Sequence, residues 1–129
     1  REDEVDEYVK RLQVFIPEFR QYWESHESTG KFGDPSTVHS VFSSFSDLVI
    51  SRLETGTLKN GQHLFEFIES VVETGGDPAN AACTCFLENI LNVTPASIDP
   101  ISFVSLLGPN SREFCRGWDD FTGVKTEGL

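Results

Sequence analysis

The sequence predicts an all-α fold, a single compact domain of about five to seven amphipathic helices in an irregular bundle or short helical array. Three observations predict it. Apolar residues recur every three or four positions and almost never alternate. Three Asp-Pro pairs, at Asp34-Pro35, Asp77-Pro78 and Asp99-Pro100, read as helix starts, because Asp caps free amides and Pro at the first helical position has no amide to satisfy. The 129 residues are 38% hydrophobic and include eleven Phe, enough for one packed core. The domain is expected to occupy residues 1–122, with 123–129 as a flexible C-terminal tail.

Val5, Val9, Leu12, Phe15 or Ile16, Phe19 and Trp23 form the first stripe. Pro17 interrupts it, which predicts a kink or two helices, the second beginning at Pro17. Residues 27–33 read as a loop. After Asp34, the series Val38, Val41, Phe42, Phe45, Leu48, Val49 and Leu53 predicts a long helix stopped by Gly56. Leu64, Phe65, Ile68, Val71 and Val72 form the next stripe, closed by Gly75-Gly76. Ala82, Phe86, Leu87, Ile90 and Leu91 follow Asp77, and Ile101, Val104 and Leu107 make a short element stopped at Gly108-Pro109, with Gly108 in the left-handed conformation. The last helix is expected to be capped by Asn110 with Glu113 in its first turn, and to carry Phe114, Trp118 and Phe121 on one face.

No pattern of residues announces catalysis. Cys83-Thr84-Cys85 places two thiols on nearly opposite sides of a helix, no His has a His or Cys one turn away, and the natural reading is small buried thiols with no metal. The serine-rich stretch 36–46 holds His39 but no Gly-x-Ser-x-Gly turn, and reads as a polar helix face. Residues 56–61 lack the Lys-Ser/Thr end of a phosphate loop, and nothing calls for a cofactor. The expectation is a protein that binds and does not catalyse.

Charge is the more informative property. Twenty-one Asp and Glu against ten Lys and Arg give a net charge of −11, which disfavours nucleic acid and anionic membrane surfaces as partners. No apolar run approaches the ~20 residues of a membrane-spanning helix. Between Asn60 and Asn110 there is no Lys or Arg, while Glu66, Glu69, Glu73, Asp77, Glu88 and Asp99 all fall inside. Helical geometry places Glu66, Glu69 and Glu73 together, opposite the apolar stripe of their helix. With Asp77 they form one candidate binding surface for a basic partner. Trp118, Asp119 and Asp120 form a second, in which Trp118 would be an interface anchor; Arg116 is spaced to pair with Asp120.

The order Gly76-Asp77, then Cys85-Phe86-Leu87-Glu88-Asn89, then Leu107-Gly108-Pro109-Asn110-Ser111 is similar to that of small all-helical bacterial immunity-type proteins encoded beside polymorphic toxins of interbacterial competition. The resemblance covers the second half of the chain and rests on structural motifs. It implies an immunity protein that neutralises a cognate toxin by occluding a basic active-site surface. The alternative is a cytoplasmic helical adaptor with an apolar groove and no toxin partner. An odd number of cysteines, Cys83, Cys85 and Cys115, fits the reducing cytoplasm. The chain contains no Met, so its encoded start is expected to be missing, and a leader removed with it would place the protein in the periplasm.

Overall fold

In the computed structural model, which describes residues 2–129 and side chains from Glu4 onward, the first stripe becomes two helices. Arg1, the first residue of the expected domain, lies outside the described residues. α1 (Glu2–Leu12) buries Val5, Val9 and Leu12; α2 (Phe19–His26) buries Phe19 and Trp23. The break falls at Pro17, but α2 begins two residues later, at Phe19. Ile16, not Phe15, is the fully buried residue of the connecting turn, and Phe15 lies half-buried against Phe67, ring centroids 5.6 Å apart.

α3 (Val38–Thr55) is the hub, touching α1, α2 and the helical segments that follow Gly75. It starts three residues after Pro35. Asp34 instead closes a turn by accepting the Ser36 amide at 2.9 Å, and Thr37 is the cap, accepting the Ser40 amide at 3.3 Å. Three of the serines here do not lie on a solvated face. Ser40, Ser44 and Ser46 are buried, small enough for neighbouring helices to approach, and each hydroxyl is satisfied by a backbone carbonyl: Phe32 and Asp34 for Ser40, Val41 for Ser44, Ser43 for Ser46. Gly56 ends the helix at φ 70°, the left-handed cap that the sequence predicts.

α4 (Gly61–Thr74) packs Leu64, Phe65, Ile68 and Val71 inward and stops at Gly75. From Gly76 to Asn92 the chain is helical throughout: α5 (Gly76–Ala81), a π-helical segment (Ala82–Leu87) and α6 (Glu88–Asn92). The wider turn has a packing reason. Ala81 and Phe86, and Ala82 and Leu87, are buried five residues apart, a spacing that a regular α-helix would turn away from one another. Asp77 lies within the first turn of α5, one residue past its start, and Asp99 caps a one-turn 3₁₀ helix (Pro100–Ser102) by accepting the Ile101 amide at 3.0 Å. A second such turn (Val104–Leu106) leads to α7 (Pro109–Thr122). Gly108 is the residue preceding α7 and is extended at φ −77°, so it starts a helix and is not a left-handed stop.

The core is organised around phenylalanines. Ring contacts run from Phe19 to Phe45 (5.0 Å), Phe45 to Phe86 (5.9 Å), Phe86 to Phe65 (5.9 Å) and Phe65 to Phe103 (6.3 Å), joining α2, α3, the π segment, α4 and the 3₁₀ turns. The fold is all-α, with no strand among the described residues. Among the described residues, no helix is long and apolar enough to cross a membrane.

Candidate functional site

Three of the predicted binding residues lie on α4, and the structure separates them. Glu69 is half-buried and reaches the start of α7. Its Oε2 accepts the Asn110 amide at 2.9 Å and the Asn110 side-chain Nδ2 at 2.8 Å; its Oε1 accepts the Ser111 amide at 2.9 Å and hydroxyl at 2.8 Å. A helix N-terminus leaves amides without partners, and its dipole favours a carboxylate there. Glu69 is therefore the cap of α7, supplied from 41 residues away, where the sequence reading expected Asn110 and Glu113. Partial burial disfavours its charged form, but the amides and side chains of Ser111 and Asn110 together outweigh this and hold the carboxyl below its usual range. Glu69 is an internal structural residue, and the outward stripe loses its middle member.

Glu66 and Glu73 remain outside, seven residues apart on the same face. Glu66 takes a 3.3 Å hydrogen bond from Gln62 and lies 3.5 Å from His63. Glu73 stands in the last turn of α4 with no ion-pair or hydrogen-bond partner among the described residues, and Asp77, just around the turn, is likewise exposed. A carboxylate at a helix C-terminus faces the negative end of the dipole, which is unfavourable by a few tenths of a kcal/mol or more.

The second candidate surface lies at the far end of α7. Trp118 is half-buried, and its ring contacts Phe121 with centroids 5.8 Å apart. Phe121 is 81% exposed and Val124 43%. Asp120 is exposed beside them, but Asp119 points elsewhere: its carboxylate accepts the Thr126 amide at 2.6 Å and the Thr126 hydroxyl at 2.9 Å. The expected Arg116–Asp120 pair does not form. Arg116 donates to the Leu129 carbonyl at 3.0 Å, and Arg112 to those of Gly128 (2.9 Å) and Val104 (2.8 Å). Residues 123–129 are therefore not a loose tail. They fold back on α7 because three charged side chains satisfy their backbone groups, with Thr126 buried and Leu129 packed against the core. Replacing Asp119 by Ala is expected to lower stability by about 1 kcal/mol and to speed amide exchange at Thr126 well before global unfolding. Unchanged exchange at Thr126 would mean that Asp119 does not hold the segment.

Taken together, the ion pairs divide the molecule. Arg11, Arg20 and Arg52 pair with Glu7, Asp6, Glu24 and Glu18, all on the first three helices or the turn before α2. Beyond residue 60, both arginines direct their donors to carbonyls, and neither α4 nor α7 has a basic residue in its last turn. Glu73, Asp77, Glu88 and Asp120 accordingly have no cationic partner among the described residues. Glu88 is half-buried, and this burial raises its carboxyl above the ordinary value.

A family model described as a domain of unknown function, DUF7674, matches residues 9–123. The chain belongs to the DUF7674 family. The match runs from the middle of α1 to the residue that ends α7, and thus contains all the helices that build the core except the first turns of α1. No curated protein and no solved structure matches the chain.

Two cysteines of this DUF7674 chain, Cys83 and Cys115, are poorly suited to nucleophilic chemistry. Burial first, then the nearby Glu69 and Glu88, push the Cys83 thiol up to about 11; burial, with Asp119 adding to it, pushes Cys115 up to about 12. Both stay protonated at neutral pH, where the thiolate is the reactive form. Cys83 and Cys85 are half-buried and Cys115 fully buried, all three as free thiols. What the sequence reading missed at the surface is Phe121, placed with Phe114 and Trp118 on one face. Phe114 and Trp118 do pack against the core, but by position 121 α7 has run past it.

Proposed function

We propose that this DUF7674 protein is a non-enzymatic binding protein of the immunity type, which neutralises a basic toxin domain by covering its positively charged active-site surface. The observation that carries this reading is the set of acids beyond residue 60 that have no cationic partner among the described residues, above all Glu73 and Asp120, which sit where helix dipoles disfavour them. A purely structural helix gains by placing Lys or Arg in its last turn, so carboxylates there are better suited to a partner that brings the positive charge. Phe121 against Trp118 adds an aromatic contact of the kind that dominates interface energetics. The bacterial cytoplasm is the compartment this reading implies.

The test is titration of the purified protein with the effector domain encoded beside its gene, at low and at physiological salt. Tight binding that weakens as salt rises, together with loss of the effector's activity, is expected. Glu73→Lys with Asp120→Lys is expected to weaken binding roughly tenfold or more, mainly through slower association. Affinity independent of both salt and these substitutions would overturn the reading in favour of an adaptor that recognises apolar surface.

A further inference from the structure

Another surface, built from both sides of the charge division, has chemistry that the acidic face does not explain. Between α3 and α6 runs a cleft of about 430 Å³, lined by Lys31, Phe32, Ser43, Ser46, Asp47, Ile50, Asn89 and Asn92. Ser43 and Asp47 lie one turn apart on α3, and Asn89 and Asn92 one turn apart on α6, so each helix offers a short polar row. The orientation of Asn89 is fixed by its neighbours. Its Nδ2 donates to the Cys85 carbonyl at 2.8 Å and to the Ser46 hydroxyl at 3.1 Å, and Ser46 in turn donates to the Ser43 carbonyl at 2.7 Å. A carbonyl can only accept, so the nitrogen must face inward and Oδ1 is left as an acceptor.

The other groups are similarly unspent. Asp47 uses Oδ2 to accept the Tyr22 hydroxyl and keeps Oδ1. The Asn92 side-chain amide and the Ser43 hydroxyl have no protein hydrogen bond among the described residues, and Lys31 has no ion pair there, its ammonium lying 5.2 Å from the centre of the Phe32 ring. The π-helical segment that carries Cys85 leads directly into α6, and such turns recur at functional sites.

We propose that this cleft binds an extended peptide segment bearing a basic side chain. A peptide main chain offers alternating N–H and C=O groups. Asn89 Oδ1 matches an N–H, the free Asn92 amide matches one complete peptide unit with both its oxygen and its nitrogen, and the Ser43 hydroxyl and Lys31 ammonium match further carbonyls. Ile50 supplies apolar contact. The remaining oxygen of Asp47, in a chain of net charge −11, selects Lys or Arg at one position of the ligand. The cleft is open to solvent, which suits a chain lying along it better than a small molecule that needs enclosure.

The probe is the blocked peptide Ac-Ala-Ala-Lys-Ala-Ala-NH₂, with a second peptide carrying Glu in place of Lys, titrated at millimolar concentration into the full chain and followed by backbone amide NMR. Shifts confined to the α3–α6 cleft are expected for the Lys peptide, with the Glu peptide binding roughly tenfold more weakly. Asp47→Asn should bring the two peptides together, and Asn92→Ala should weaken both several-fold; both positions are exposed, so the fold is retained and is checked by the unchanged spectrum elsewhere. Absence of shifts in the cleft would overturn the proposal. So would shifts at Trp118 to Val124, which would assign the peptide to the face proposed above for the basic partner. Equal binding of the Lys and Glu peptides to the unaltered protein would remove the basic side chain from the ligand.

Discussion

Phe86→Ala is expected to lower folding stability by about 3–5 kcal/mol, the largest effect of any single truncation considered for this molecule. The ring is fully buried and lies midway in the aromatic series, 5.9 Å from Phe45 on α3 and 5.9 Å from Phe65 on α4. Removing it loses the transfer energy of the side chain and leaves a cavity that three separate elements would have to collapse to fill. Domains of this size are stable by only about 5–15 kcal/mol, so a substantial unfolded population in modest urea is expected. Phe86→Leu, which keeps most of the volume, should cost less than about 1.5 kcal/mol, and Phe121→Ala should lie within about 0.5 kcal/mol of the unaltered protein because that ring is exposed. Urea midpoints for the three variants order these effects. A Phe86→Ala midpoint no lower than that of Phe121→Ala would show that the aromatic series does not organise the core.

The contrast between Phe86 and Phe121 also marks what periodicity reveals and where it stops. The stripes of α3 and α4, and their glycine stops at Gly56 and Gly75, were legible because burial repeats over several turns and leaves a regular trace. A trace of that kind cannot register a change of helical pitch: Ala81, Ala82, Phe86 and Leu87 look like an ordinary stripe until the five-residue spacing is noticed. Nor can it say where a core ends along a helix, which is why Phe121 was grouped with Trp118. The Asp-Pro pairs were read by one rule and took three fates: a turn before α3, a place inside the first turn of α5, and a true cap at Asp99. The same local chemistry serves a turn and a helix start, and tertiary packing selects between them.

The candidate site was less legible, because long-range partners leave no local signal. Wheel geometry still held a hint about Glu69. Measured from the centre of the buried face of α4, Glu69 lies roughly 100° away, against roughly 140–160° for Glu73 and Glu66. It borders the core and the other two do not. Periodicity alone makes the three one stripe and points to Asn110 as the cap of α7, whereas the residues at the actual helix start, Gly108 and Pro109, offer no side-chain acceptor. Likewise Asp119 and Asp120 look equivalent in sequence, and only the return of residues 123–129 makes one internal and leaves the other at the surface.

Glu69→Ala is the second large effect, expected at about 2–4 kcal/mol. It removes four hydrogen bonds to one charged group and leaves the amide and hydroxyl of Ser111, a fully buried residue, without acceptors. The pH dependence has a definite sign. Because the carboxyl in the folded protein titrates below its ordinary value of 4.5, its contribution is fully present above that value and is lost as pH falls through the lower, folded one. The stability gap between the unaltered protein and Glu69→Gln should therefore be widest near neutral pH and narrow in acid. Gly108 supplies an independent check on the geometry. A Cβ there would lie 2.5 Å from Glu69 Cγ and 2.6 Å from its Cδ, far inside contact distance, although the backbone at φ −77° admits any residue. Gly108→Ala alone should destabilise by about 1–3 kcal/mol, by displacing the carboxylate from the helix start. In the Glu69→Ala background the colliding atoms are gone, and the same substitution should be nearly neutral. The two changes are thus expected to be strongly non-additive in urea unfolding, and simple additivity would show that Glu69 does not sit over Gly108.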